Sequence, residues 1–124
     1  MASQTVNFEY DRERNILFVV DDYEINTPEE ADAFLDLYSR KFKEIGRKVR
    51  LVACIDGLKI NHKVQDYYGE QVKKLLDGTI ICFARYGKDP MARMTVRTSS
   101  RKVKFDINIY DTREQATEAV EKIK

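Results

Sequence analysis

RKVRLVACIDGLKI, residues 47–60, is the stretch of sequence that decides the predicted fold. It begins with charged residues, becomes apolar from Leu51 to Ile55, and then reaches Asp56 and Gly57. A short apolar and β-branched run that stops at a glycine is typical of a strand buried on both faces. We expect Asp56 and Gly57 at the C-terminal end of this strand, where ligands and partners usually dock in open α/β sheets.

The residues before this stretch predict a hairpin and a helix. Residues 5–10 alternate between apolar and polar side chains, and residues 16–20 (ILFVV) follow after a polar turn. These two strands are close enough in sequence to form an antiparallel hairpin. Thr27 is a suitable N-cap before a proline, so we predict an amphipathic helix over residues 28–45 that ends at Gly46.

The residues after this stretch alternate between helix and strand patterns. The predicted elements are a helix from Asn61 to Asp77, a buried strand at residues 79–84, a helix from Asp89-Pro90 to about residue 101, a peripheral strand at Val103–Tyr110 and a last helix after Asp111. Met91 and Met94, with Thr98 or Val96, are expected to form a thin apolar stripe on the third helix. The order ββαβαβαβα predicts an α/β fold with a mainly parallel sheet of about five strands, an N-terminal hairpin and about four helices.

Length and charge limit the possible functions. The 124 residues are expected to form one domain over residues 1–124, and the net charge of +1 does not favour nucleic acid as a partner. The charge is nevertheless uneven: residues 1–46 carry 5 Lys or Arg and 11 Asp or Glu, whereas residues 47–124 carry 17 and 10. This asymmetry suits a contact between two copies or with a partner, and it equally suits two solvated surfaces.

The cysteines and the hydropathy pattern predict a reduced, cytoplasmic protein. Cys54 and Cys82 lie inside apolar runs and are best interpreted as small core residues. A disulfide would require neighbouring strands and an oxidising compartment. The sequence shows no signal-peptide pattern and no apolar run near the ~20 residues of a membrane helix, so we expect a cytoplasmic protein without a transmembrane segment.

No motif for metal, cofactor or nucleophilic chemistry is present. His62 is the single histidine, and the spacing of the two cysteines matches no zinc motif. The sequence lacks the GxSxG, GxxxxGK[ST] and GxGxxG motifs. We therefore expect no metal, no cofactor and no enzyme activity.

One catalytic alternative stays open. Asp21 and Asp22 lie near the end of the second predicted strand, and Asp56 ends the central one. With Arg85 these carboxylates would form a small enzyme site if all four converged on one pocket. Acidic residues at strand ends more often cap turns and helices.

The most unusual segment is basic. Residues 85–104, RYGKDPMARMTVRTSSRKVK, contain seven Lys or Arg and one Asp. Arg93, Arg97 and Arg101 are four apart, so a helix places them on one face, and free N–H groups in its first turns also favour anions. The segment suits a phosphate, a carboxylate or an acidic protein surface; the alternative is a solvated basic face. It lacks the interleaved aromatic residues of a nucleic-acid site.

The element order, together with the closing segment FDINIYDTREQATEAV (residues 105–120), resembles the STAS domain (sulfate transporter and anti-sigma-factor antagonist), especially its SpoIIAA-like branch. The resemblance covers nearly the whole chain and implies a STAS-like sheet. In the anti-sigma-factor antagonists an Asp-Ser pair follows the central strand, and a partner kinase phosphorylates the Ser. Asp56 matches that Asp, but Gly57 replaces the Ser and residues 58–66 contain no hydroxyl side chain. The resemblance therefore does not imply a phospho-switch at this position.

A second resemblance is local. The stretches GRKVRLVACIDGLKI, DYYGEQVKKLLDG and ARYGKDPMARM look like an accessory extension found after the catalytic region of some bacterial acyl-CoA transferases. That likeness implies a docking module. It carries no transferase chemistry, because the catalytic glutamate motif of those enzymes is not recognisable here.

These patterns predict a non-catalytic STAS-like binding module with a regulatory or accessory role. The expected binding surface is the sheet edge where the third and fourth strands end, with candidate residues Asp56, Gly57, Arg85, Tyr86, Arg93 and Arg97. Arg suits bidentate binding of carboxylate or phosphate. The expected occupant is a protein partner, a second copy in a homodimer, or a small anionic or acyl ligand. The alternatives are a lipid or acyl-group carrier, which needs an apolar cleft beside the sheet, and the small enzyme.

Overall fold

The computed structural model describes residues 3–123. Its strands are β1 (Thr5–Asp11), β2 (Ile16–Ile25), β3 (Val49–Ile60), β4 (Ile80–Tyr86) and β5 (Ile109–Tyr110). Its helices are α1 (Pro28–Ile45), α2 (Gln65–Leu76, after one 3-10 turn at His62–Val64), α3 (Pro90–Lys102) and α4 (Arg113–Glu121). The predicted order ββαβαβαβα is confirmed.

The five strands form one sheet in the order β1-β2-β3-β4-β5. β1 pairs with β2 antiparallel, and every later pair is parallel. The mainly parallel sheet with an N-terminal hairpin is therefore confirmed. The short β1–β2 turn permits the antiparallel pair, whereas each parallel pair is joined through a helix.

Helices cover both faces of the sheet. One core cluster joins the sheet to α1, α2 and α3, and includes Leu17, Phe34, Leu51, Val72 and Val96. A smaller cluster on the other face joins Phe18, Val52 and Ala84 of the strands to Ala116 and Val120 of α4. Burial on both faces explains why β2 and β3 are continuous apolar runs rather than alternating ones.

The predicted caps of α1, α3 and α4 hold, whereas α2 begins later than predicted, because Asn61 caps the 3-10 turn and α2 starts at Gln65. The Thr27 side chain accepts a hydrogen bond from the Glu30 N–H at the start of α1, and Gly46 adopts the left-handed conformation (φ 78°) at its end. Asp89 caps α3 by accepting from the Ala92 N–H. α4 begins with a complete capping box between Thr112 and Gln115.

The prediction that β3 ends at Asp56-Gly57 is wrong, because the strand continues to Ile60. Its pairing with β2 steps from Val20–Cys54 to Asp22–Gly57, so β3 carries an extra residue, a β-bulge, at this point. Beyond the bulge the buried side chains Leu58 and Ile60 alternate with exposed Lys59, which is the pattern of a further strand segment.

The predicted strand at Val103–Tyr110 is wrong except for its last two residues, which form β5. Lys104 (φ 58°) and Asn108 (φ 44°) have left-handed backbone conformations that a strand cannot contain. The Phe105 N–H also bonds back to the Ser100 carbonyl at 2.8 Å. The segment therefore turns away from the edge of β4 instead of extending along it.

The predicted apolar stripe of α3 is wrong for Met91 and Met94 and right for Val96. α3 buries the smaller side chains Ala92, Val96 and Ser99, and both methionines are exposed. The helices are too close for a large residue at this contact: a Cβ on Gly69 of α2 would lie 2.6 Å from the Ser99 backbone oxygen. Apolar character therefore identified Val96 correctly but not the methionines, because small residues form the inner face.

Candidate functional site

The candidate site begins where β3 and β4 separate. Their last pair is Cys54–Tyr86, after which β3 continues paired with β2 alone. At the bulge, the Asp56 carboxylate accepts hydrogen bonds from the backbone N–H groups of Lys88 and Asp89, at 2.7 and 2.9 Å from Oδ1. Asp56 thus fixes the loop that leads into α3.

Gly57 lies in the same bulge against β2. A Cβ at Gly57 would lie 2.7 Å from the backbone oxygen of Asp21 and 3.2 Å from the Cα of Asp22. Both contacts are with backbone atoms of a central strand, which cannot move aside cheaply. Gly57 is therefore required by packing rather than available as a contact side chain.

Tyr86 and Cys54 lie side by side on the sheet face that α4 covers in part. Both are half-buried, and their neighbour Val20 is 43% exposed. Burial raises the pKa of the Cys54 thiol, and the nearby Asp56 carboxylate acts in the same direction. This part of the face is accessible, but its thiol is not activated.

The arginines of α3 differ in their contacts. Arg93 is already paired: its Nη1 donates to the Gly87 carbonyl at 2.9 Å and to Asp111 Oδ1 at 2.7 Å. Arg97 and Arg101 have no ion pair with any residue between 3 and 123. Arg93 therefore tethers α3 to the loop after β5, and Arg97 and Arg101 are the arginines available to an outside group.

Two exposed methionines lie beside these arginines. Met91 is 64% exposed and Met94 is 52% exposed. On a helix, Met94 shares its outward face with Arg97 and Arg101 at spacings of three and seven residues. We define the rim surface as Asp56, Tyr86, Lys88, Met91, Met94 and Arg97.

Arg85 lies apart from the rim surface. The guanidinium of Arg85 is in the core on the opposite side of the sheet from Tyr86, because successive residues of β4 point to opposite faces. Its Nη1 donates to Ser100 Oγ at 3.1 Å and to the Ile107 carbonyl at 3.4 Å. The stacked rings of Phe83 and Phe105 lie 5.0 and 5.9 Å from its Cζ.

Arg85 belongs to an interior polar cluster with Asp21, Tyr38 and Tyr68. The Tyr38 hydroxyl donates to Asp21 Oδ1 at 2.6 Å, and all four residues line a cavity of about 40 Å³ between the sheet, α1 and α2. Burial raises the pKa of the Asp21 carboxyl to about 7, against the opposing effects of the Tyr38 hydrogen bond and the Arg85 charge. Sequence reasoning missed this cluster, since both tyrosines fit the apolar faces of their helices.

The small-enzyme alternative required Asp21, Asp22, Asp56 and Arg85 to meet in one pocket. The structure brings together only Asp21 and Arg85. The Asp22 carboxylate accepts a hydrogen bond from the Ser3 hydroxyl, and Asp56 binds the loop before α3. The four groups do not form one site.

Within residues 3–123, metal binding and thiol chemistry find no suitable group of side chains. No group of three or more His, Cys, Asp or Glu in this range is placed to hold a metal ion. Cys54 and Cys82 are free, and burial also raises the pKa of the Cys82 thiol. In the same range no helix has both the length and the apolar character of a membrane span.

An open cleft lies beside β4, where the segment before β5 turns away. Its volume is about 810 Å³. Apolar side chains form much of its wall, namely Leu76, Ile80, Ile81, Phe83, Val103, Phe105 and Ile123. The polar lining includes Lys73, Lys74 and Asp106. The sequence left the existence of such a cleft open, and the shortening of β5 is what creates it.

Comparison with known proteins identifies the fold. No family model matches the chain, and no curated protein matches it in sequence. Among solved structures, the anti-sigma factor antagonist SpoIIAA in its unphosphorylated form matches with a TM-score of 0.63 and 12% sequence identity, over 97% of this chain and 99% of that one. The chain therefore has the SpoIIAA fold, the STAS-like architecture that its order of strands and helices predicted.

Proposed function

We propose that this protein is a non-catalytic interaction module whose rim surface docks a protein partner. The docked face of the partner is acidic and partly apolar. The observation that carries the proposal is the exposure of Met91 and Met94 next to arginines without ion pairs. Flexible methionines suit protein-binding surfaces, and Arg suits carboxylate partners. The shared fold with SpoIIAA, an anti-sigma factor antagonist, is consistent with such a role.

The geometry of the rim surface favours docking over catalysis. Asp56 is occupied by the backbone of the loop before α3, and Arg93 by Asp111. These contacts hold the loop and helix in place and leave Lys88, Met94 and Arg97 as the presented groups. A rigid platform with a few exposed side chains is what a partner surface needs.

Site-specific photocrosslinking in cells of the source organism tests the proposal. A photoreactive amino acid at Met94 or Arg97 should form a crosslink to one defined protein. The same amino acid at Arg40, on the exposed side of α1, is the matched control and should not. The substitution Arg97→Glu should remove the Met94 crosslink by placing like charge against the acidic partner. Equal crosslinking at all three positions, or none at Met94 and Arg97, contradicts the proposal.

A second copy is one candidate partner, because the N-terminal third of the chain is acidic and the remainder is basic. Size-exclusion chromatography with light scattering at low and high salt examines this case. A dimer that dissociates at high salt and in Arg97→Glu places the rim surface between copies. A monomer under both conditions makes the partner a different protein.

We infer acyl-group binding as a second candidate function, since the cleft beside β4 has the size of a small-molecule site. A fluorescent fatty acid titrated into the purified protein tests it. Ile81→Asp should abolish the fluorescence change. Val20→Asp, an exposed apolar position that does not line the cleft, should leave it intact. No change with the wild-type protein contradicts this function.

A further inference from the structure

The Arg85 side chain carries a buried positive charge without an anionic partner. Arg85 is only 7% exposed, and no carboxylate of residues 3–123 forms an ion pair with it. Its Nη1 is bonded to neutral oxygens of Ser100 and Ile107. A buried arginine normally pairs with an anion, because an unpaired charge is costly in a protein interior.

Two of the three nitrogens of this guanidinium are unbonded and reachable. Within the described residues, Nε and Nη2 of Arg85 have no hydrogen-bond partner. Every buried side-chain nitrogen or oxygen that solvent cannot reach does have a partner. A molecule the size of water therefore reaches these atoms. Nε and Nη2 form the edge of the guanidinium that binds both oxygens of a carboxylate.

Two further groups complete the surroundings. Tyr68 is 6% exposed, and its hydroxyl has no hydrogen-bond partner between residues 3 and 123. Asp21 is 3% exposed, and only its Oδ1 is bonded, to the Tyr38 hydroxyl. The Tyr68 hydroxyl and the second oxygen of Asp21 thus belong to side chains that line the same cavity as Arg85.

We propose that this interior cavity binds a small monocarboxylate of the size of formate or acetate, held by Nε and Nη2 of Arg85 and by the Tyr68 hydroxyl. The site is separate from the rim surface, and its test does not depend on the docking function. A single planar anion supplies what the cavity lacks: two acceptor oxygens for the arginine and one for the tyrosine.

Size and lining select the ligand. A water molecule needs roughly 10–15 Å³ of cavity volume. The cavity of about 40 Å³ therefore holds about three water-sized groups. Formate has three heavy atoms and acetate has four. The remaining walls are apolar, with Phe34, Leu51 and Ile55 among them, which suits hydrogen or a methyl group opposite the carboxylate.

The charge balance makes binding depend on pH. The titratable groups that face the cavity are Asp21 from β2, Tyr38 from α1, Tyr68 from α2 and Arg85 from β4; β3 contributes only apolar residues. An ionised Asp21 repels a second carboxylate, whereas a protonated one donates a hydrogen bond to it. Affinity should therefore fall as the pH rises through the pKa of Asp21, about 7.

The experiment combines thermal unfolding with NMR of the arginine Nε–H signals. Sodium formate and sodium acetate should raise the Tm relative to sodium chloride at equal ionic strength, and should shift the Arg85 Nε–H signal saturably. Tyr68→Phe keeps the ring and removes one donor, so it should weaken binding about tenfold. Tyr67→Phe, whose hydroxyl contacts Asp32 at the surface, is the matched control and should bind normally.

Each outcome decides the proposal. Butyrate, which exceeds the cavity, should shift neither signal, and Arg85→Lys should abolish binding by removing the bidentate edge. If Arg85→Lys does not fold, the comparison of Tyr68→Phe with Tyr67→Phe decides. An Arg85 signal that moves no more with formate or acetate than with chloride overturns the proposal and assigns the cavity to water. Equal affinity in Tyr68→Phe and the wild type also overturns it.

Discussion

The Cβ that Gly57 lacks would lie 2.7 Å from the backbone oxygen of Asp21. This relationship joins the bulge in β3 to the strand that carries the buried carboxyl of the interior cluster. It also explains why the residue after Asp56 is a glycine. In this chain the position is packed against a central strand and has no room for a side chain.

The first prediction concerns Gly57→Ser. The substitution should lower the free energy of unfolding by about 1–3 kcal/mol, because β2 and β3 must separate to accept the side chain. Urea unfolding monitored by circular dichroism measures the change. Lys59→Ser, at an exposed position of the same strand, is the control and should stay within about 0.5 kcal/mol of wild type. A stable Gly57→Ser protein would show that the bulge adapts.

The second prediction concerns Asp56→Ala. The Lys88 and Asp89 N–H groups lose their acceptor, so hydrogen exchange in the first turn of α3 should accelerate. The free energy of unfolding should fall by about 1–2 kcal/mol. Asp106→Ala is the control, since Asp106 is exposed and forms no ion pair within residues 3–123. Unchanged exchange in α3 would mean that water replaces the carboxylate at no cost.

The sequence predicted the elements that depend on local signals. Thr27 and Gly46 mark the ends of α1, and two buried apolar runs mark β2 and β3. It failed where a tertiary contact overrides the pattern. Residues 103–108 alternate like a strand, but the hydrogen bond from the Phe105 N–H to Ser100 and two left-handed residues turn them away from β4.

The candidate site was predictable only in part. Asp56 and Tyr86 lie at the edge that their position in the sequence indicated. The direction of Arg85 depends on strand alternation, which a short apolar run does not reveal. The interior cluster unites residues from four elements, and Tyr38 and Tyr68 fit an apolar helix face as well as a polar role. No local signal distinguishes these two uses of tyrosine.

The third prediction concerns Lys104, which has a φ of 58° and is exposed. Lys104→Gly should raise the free energy of unfolding by about 0.5–1 kcal/mol, because glycine adopts this conformation without steric cost. Asp106→Gly is the matched control: it is exposed in the same segment, its φ is not positive, and it should destabilise the protein instead. Chemical denaturation of both variants gives the comparison, and equal shifts in both would contradict the strain at Lys104.

The last prediction is the pH dependence that Asp21 imposes. Burial raises the pKa of its carboxyl from 3.8 in the unfolded chain to about 7 in the folded one. Between these values the folded protein binds a proton that the unfolded chain has released, so the free energy of unfolding falls as the pH rises. The contribution is up to about 1.4 kcal/mol per pH unit and levels off above pH 7.

Unfolding measurements from pH 4 to 8 on the wild type and on Asp21→Asn isolate this contribution, since the other carboxylates are common to both proteins. The difference between the two curves should have the predicted negative slope. In the wild type, the hydrogen bond from Tyr38 lowers the pKa of Asp21. Tyr38→Phe removes this bond, so the pKa should rise further and the slope should end at a higher pH. A flat difference curve would mean that Asp21 stays ionised in the core. Arg85 would then be the group that stabilises the ionised carboxylate, since it is the cationic residue that lines the same cavity.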